Sequence, residues 1–145
     1  MKIKYHKIFP HAALLERFDE TGKRCEYTLT AGEDAVVYPI QSAGHPSLIR
    51  TGIAVDSIDK EGAILFASFL PSIIDHTGLI LLNPYLVSNG EIILRVANLA
   101  RTVQTIQKGV MLASLSVLTT SNADLEFVEA TAQKKSTKLI KKRKD

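Results

Sequence analysis

LLNPYLVSNGEIILRVAN, residues 81–98, holds two apolar runs separated by Ser88-Asn89-Gly90. Asn-Gly between β-prone runs is the strongest short-range hairpin signal, because a two-residue turn needs positive φ at both central positions. The stretch reads as a β-hairpin, and the same texture extends outward from it. AVVYPI (35–40), LIRTGIAV (48–55), AILFASFL (63–70), LILLNPYLV (79–87), EIILRVAN (91–98), QTIQ (104–107), VMLASLSVL (110–118) and LEFVE (125–129) all read as strands. Turn signals separate them: Gly44-His45-Pro46, Asp59-Lys60-Glu61-Gly62, His76-Thr77-Gly78, Asn89-Gly90 and Lys108-Gly109. Short strands spaced by regular turns predict an all-β barrel or sandwich.

Helical periodicity is weak throughout. PHAALLERF (10–18) has a Pro placed for a first helical turn and good helix formers behind it, but its length fits a single turn or an extended arm equally well. PSIIDH (71–76) reads as another single turn.

The chain of 145 residues is long enough for one domain with one sizeable core. Residues 1–130 read as that domain. TAQKKSTKLIKKRKD (131–145) is polar and like-charged, cannot bury enough apolar surface to fold alone, and reads as a flexible basic tail. Its seven basic residues are Lys134, Lys135, Lys138, Lys141, Lys142, Arg143 and Lys144, against Asp145. Eleven basic and fourteen acidic residues remain before them, so a net +3 divides into a body near −3 and a tail near +6. That is a bipartite charge design. The longest apolar run, near residues 78–82, falls far short of the roughly 20 residues of a membrane span. With no secretory signal in its first residues, the chain is expected to be soluble and intracellular, without membrane contact.

Side-chain chemistry is sparse. One cysteine, Cys25, excludes an internal disulfide and a multi-cysteine metal site; it reads as a half-buried strand residue rather than a nucleophile. His6, His11, His45 and His76 are scattered without metal spacing. Ser68 and Ser72 flank Pro71 outside any nucleophile elbow. Asp56, Asp59 and Glu61 surround Gly62; a divalent metal would accept such carboxylates, but a solvated β-turn is the commoner use of the pattern. No catalytic, metal or cofactor-binding residue is therefore expected.

Taken in order, several fragments resemble the deoxyuridine triphosphatase (dUTPase) family. LIRTGIAV (48–55) resembles that family's strand before its first conserved loop. EGAILFASFL (61–70) resembles the strand into its P-R-S motif, and GLILLN (78–83) the G-I-x-V-x-N segment after it. NGEIILRVAN (89–98) is similar to the strand leaving the catalytic hairpin, and IQKGVMLASLSVL (106–118) to I-x-x-G-D-R-I-A-Q-L-V. The resemblance covers about residues 14–129. It implies a β-barrel or jelly-roll-type sandwich, a homotrimer with active sites between subunits, and an exchanged C-terminal arm.

Every catalytic motif of the family departs here. In its A-G-Y-D-L motif an aspartate lies near the metal-bound triphosphate; the matching stretch is Cys25-Glu26-Tyr27-Thr28-Leu29, with Thr28 in place of that carboxylate. P-R-S is matched by Phe69-Leu70-Pro71, which cannot pair with phosphate. The base-bearing hairpin is matched by residues 83–91, with no acid before Glu91. D-R-I-A-Q is matched by Val110-Met111-Leu112-Ala113-Ser114, and the Lys-rich tail stands where the Gly-rich fifth motif would be.

These departures lead to the expectation of a non-enzyme: a structural or assembly protein on a trimeric scaffold, such as a phage virion component that decorates a capsid or belongs to a tail, and otherwise a cytoplasmic protein. An alternative is a regulatory pseudoenzyme that binds a host protein or a nucleotide. A further one is non-specific tethering of a polyanion, nucleic acid included, by the tail. Tyr85 and Leu86 are expected to pack between subunits or against a partner.

Overall fold

The computed structural model describes residues 2–17, 26–119 and 124–129. Cys25 and the basic tail lie outside the described residues.

Alternation builds the long strands. In β8 (Gly90–Asn98), Ile92, Leu94 and Val96 point inward and are wholly buried, while Arg95 between them is exposed. β4 (Ser47–Ile58), β5 (Ala63–Phe69) and β10 (Met111–Thr119) bury Ile49, Ile53, Leu65, Leu112 and Leu115 in the same way. Each such side chain contributes about 1.5–3 kcal/mol by leaving water. The shorter elements are β1 (Ile3–Lys7), β2 (Glu26–Thr30), β3 (Ala35–Val37), β6 (Leu79–Leu81), β7 (Tyr85–Leu86) and β9 (Gln104–Ile106), with short helices α1 (Ile40–Ala43) and α2 (Pro71–Thr77). Among the described residues one sheet runs β1-β4-β8-β6, a second β2-β10-β5-β7, and a small pair β3-β9. All the strand pairings are antiparallel. Inward side chains of both large sheets form one core cluster, so the all-β sandwich is the observed architecture.

The Thr51-Gly52 step is a bulge. Pairing of β4 with β8 jumps from Arg50↔Ile93 to Ala54↔Glu91, so three residues of β4 stand against Ile92. The Thr51 hydroxyl donates to the Ile92 carbonyl at 2.6 Å. Gly52, at φ 73°, lies under the Phe9 ring, and its carbonyl accepts the Ile8 amide at 2.7 Å. Arg50 lies over that ring, 4.5 Å from its centroid, and donates twice from Nε and once from Nη2 to Glu91. That hydrogen bond to Glu91 raises the guanidinium pKa above its ordinary value. The TGIAV stretch is thus a packing device that ties the N-terminal segment to β4.

The Asn89-Gly90 hairpin does not form. The 79–87 run breaks into β6 and β7, which belong to opposite sheets. β6 pairs with β8, while β7 crosses over to pair with β5 through Tyr85↔Phe66 and Leu86↔Leu65. No non-glycine among the described residues has positive φ, so Asn89 cannot occupy a type I′ turn. Asn83 holds the crossing: its Nδ2 donates to the Ile93 carbonyl and its Oδ1 accepts the Arg95 amide. Asn83 thereby replaces a strand pairing that Pro84 would interrupt.

Other elements also differ from the sequence reading. Residues 10–17 form no helix: Pro10 and His11 lie in a turn and the chain then runs without regular structure to a bridge between Arg17 and Tyr27. The 35–40 run stops at Val37 and turns into α1. β1 escaped detection because its lysines mask the alternation of Ile3 and Tyr5. β2 was hidden for a similar reason, since Glu26, Thr28 and Thr30 interrupt its apolar run. Residues 125–129 are assigned no strand.

Candidate functional site

Several of the positions that the resemblance aligns with the enzyme motifs have partners within the fold. The Thr28 hydroxyl accepts the Glu16 amide at 3.1 Å, and the Thr28 amide donates to the Glu16 carbonyl at 2.9 Å. Thr28 thus fastens the 15–17 segment to β2. Phe69 is buried in the core, and Leu70 and Pro71 open α2 as its N-cap and first residue. Leu112 and Ala113 are fully buried. Glu91, the nearest acid to the 83–90 crossing, is held by Arg50 with Nη2···Oε1 at 2.6 Å. A hard divalent cation needs several free oxygen donors. Thr28 offers one neutral hydroxyl that is already engaged, so these residues do not fit the magnesium that the dUTPase fold implies.

The histidines and acids form at most pairs among the described residues. His6 Nδ1 and Asp56 Oδ1 are 2.8 Å apart, and the Lys2 amide donates to Asp59. His11 Nε2 meets the Gly32 carbonyl, His45 Nδ1 the Pro46 carbonyl, and His76 Nδ1 the Ser72 carbonyl. Among the described residues no group of three His, Cys, Asp or Glu side chains converges.

Register brings a different set together on the outer face of the second sheet. Thr28, Ser114 and Ser68 stand abreast across β2, β10 and β5. Two residues along, Glu26, Ser116, Phe66 and Tyr85 stand abreast across β2, β10, β5 and β7. Directly paired residues share a face, so both rows point away from the core. Between them lies an open hollow of ≈ 450 Å³, lined by Glu26, Phe66, Ser68, Ser114, Ser116, Val117 and Leu118. Tyr85 braces the Phe66 ring edge-on, centroids 5.5 Å apart, and is itself 66% exposed. Leu86 is half-buried against the core. Among the described residues this hollow carries hydroxyls, an aromatic ring and one carboxylate, and no basic side chain.

Sequence reasoning singled out Tyr85 but missed Glu26, Phe66, Ser114 and Ser116. The usable signal was serine at alternate positions of β10, where β-branched or aromatic residues are usual.

Neither a protein-family model nor a curated protein matches the chain. Solved structures do. A variant of the phage 80alpha dUTPase superposes with a TM-score of 0.70 at 16% identity, covering 89% of this chain and 90% of that one. Staphylococcus bacteriophage 80alpha dUTPase, described as controlling transfer of virulence genes by a G protein-like mechanism, gives 0.70 at 17%, covering 89% and 97%. A variant of the dUTPase from phage phi11 of S. aureus, described with a structural Mg(II) ion, gives 0.70 at 18%, covering 90% and 98%. The chain has the dUTPase fold.

Proposed function

We propose that this chain is a non-enzymatic structural or assembly protein that uses a dUTPase-like scaffold for binding. The carrying observation is the replacement of phosphate- and water-handling side chains by Thr28, Phe69-Leu70-Pro71 and Leu112-Ala113: Thr28 is engaged with Glu16, and Phe69, Leu112 and Ala113 are packed in the core. Phosphoryl chemistry depends on cations at the phosphates and on a positioned base, and the matching positions carry neither.

Self-association is part of this reading. Leu125, Phe127 and Val128 are 97%, 93% and 71% exposed, three apolar side chains close together on one segment. A monomer leaves such a segment unpaired; a homotrimer that exchanges it as a C-terminal arm covers it. Tyr85 and Leu86 are the second place where a subunit or partner is expected to pack. The tail would then project from the assembly and reach a capsid, a phage tail or a polyanion. The likeness to phage dUTPases supports a phage setting and so a virion role. A second reading, a regulator that binds a host protein, is favoured by the control of virulence-gene transfer attributed to the 80alpha enzyme.

The test is incubation with dUTP and Mg²⁺ with pyrophosphate detection, alongside mass photometry at micromolar concentration. We expect background release and a mass three times that of the chain. Pyrophosphate well above background overturns the non-enzymatic reading, and a uniform monomer overturns the assembly reading.

A further inference from the structure

We propose that an apolar slot at the open edge of the sandwich, between α2 and the 82–84 crossing, seats Leu125 and Phe127 of a second copy of the chain. The inference rests on the self-association reading and names the surface on which the exposed segment docks.

The slot follows from the crossing. β6 is an edge strand of the first sheet and β7 an edge strand of the second. The chain passes between those edges at residues 82–84 instead of closing a hairpin, and the sandwich is left open beside it. The opening has a volume of ≈ 250 Å³, and its apolar lining includes Phe66, Phe69, Ile74, Ile80, Leu81 and Pro84. Ser68 is the one polar residue among those that line it. Ile74 is itself exposed, and so is Leu82, two residues along from Ile80 on the same side of the chain. An apolar opening of this kind gains free energy when a nonpolar group displaces its water.

The chain carries the complement of this surface. Leu125 and Phe127 are almost wholly exposed and stand two residues apart, as Ile80 and Leu82 do. In an extended chain that spacing is roughly 7 Å and puts both side chains on one side. Leu125 set against Leu82 therefore brings Phe127 to Ile80 and the slot. The Leu82 amide donates to the Arg95 carbonyl at 2.8 Å, which places the exposed Arg95 directly beside Leu82. Asp124 and Glu126 flank Leu125, so the docked segment brings carboxylates to that cation.

The slot belongs to another copy. Phe127 is exposed in its own fold, so its own slot does not hold it. β10 also delivers the chain to the wrong end: Thr119 stands opposite Ala63, while the slot lies toward the Phe66–Phe69 end of β5. A second copy supplies the same slot without that constraint.

Mass photometry of the full-length chain over a dilution series reads the docking. Ile74→Asp puts a carboxylate at the mouth of the slot. It should raise the concentration at which the assembly half-dissociates about tenfold or more, with the strand signal by circular dichroism unchanged. Arg95→Glu should raise it about three- to tenfold, and adding Glu126→Arg should bring it back toward the native value. Rescue by a change on a different segment separates a contact from damage to the fold.

A crosslink gives an independent reading, which holds even if Ile74→Asp impairs folding. In a Cys25→Ser background, a chain carrying Ile74→Cys is co-expressed with one carrying Phe127→Cys. Mild oxidation should join position 74 of one chain to position 127 of the other, as read by mass spectrometry. Assembly of folded Ile74→Asp protein at native concentrations, absence of the charge-swap rescue, or absence of that crosslink overturns the docking site and leaves self-association standing. A native chain that stays monomeric throughout the series overturns both.

Discussion

Replacing Gly52 with alanine separates two costs that usually travel together. Gly52 and Gly44 share the same φ of 73°, so an alanine at either pays the left-handed strain of about 1–2 kcal/mol. Their surroundings differ. A Cβ at Gly44 meets nothing within 4 Å. At Gly52 it would lie 2.5 Å from Phe9 Cδ2, 2.9 Å from Cγ and 3.0 Å from Ala12 Cβ. The Phe9 ring cannot simply withdraw, because His11 stacks on it at 5.6 Å and Arg50 lies over it. Overpacking of this kind costs about 1–3 kcal/mol more. Gly44→Ala should therefore lower stability by about 1–2 kcal/mol, and Gly52→Ala by about 2–5 kcal/mol.

The assay is urea unfolding followed by circular dichroism, at one fixed protein concentration so that any self-association contributes equally. A Phe9→Leu background gives the decisive control. There the cost of Gly52→Ala should fall toward that of Gly44→Ala, since the obstructing ring is gone. Equal costs at the two glycines in the parent protein, or an undiminished cost at Gly52 after Phe9→Leu, would refute the account of the bulge as a ring-packing device.

Asn98→Ala should cost about 2–4 kcal/mol in the same assay, because the buried amide donates to the Val37 and Thr102 carbonyls and accepts the Ala100 amide; a loss below about 1 kcal/mol would mean that water replaces it without penalty. Arg50→Lys should lower the unfolding midpoint although the charge is kept, since lysine cannot reproduce the forked contact with Glu91 or lie flat over Phe9; an unchanged midpoint would make that cluster incidental to stability. Leu125→Ser with Phe127→Ser should abolish the proposed homotrimer with no loss of strand signal by circular dichroism; mass photometry showing an intact oligomer would remove the segment from the interface.

Much of the fold was legible because the long strands carry their instructions locally. Ile92, Leu94 and Val96 alternate with Ile93 and Arg95, and that period points to a strand whatever surrounds it. The edges were less legible. β1 shows little apolar signal because it is half-solvated and lysine-rich. The candidate hollow was not legible at all, because its members come from three strands distant in sequence. Glu26, Ser116 and Phe66 meet only through register, and no local window contains that relation.

Residues 81–98 divide the two kinds of information. Their composition was enough to specify β-structure, an inward Ile-Leu-Val row and a break near Asn89-Gly90. It was not enough to specify the partners. β7 pairs with β5 because Asn83 occupies the backbone groups of β8 that a simple hairpin would have used. β8 instead takes β6 and β4 as neighbours, and begins at Gly90 opposite Val55. Propensity acts over a few residues and is written in the chain. Which strand edge remains free to pair is settled only after distant strands have met, so that choice belongs to the tertiary structure.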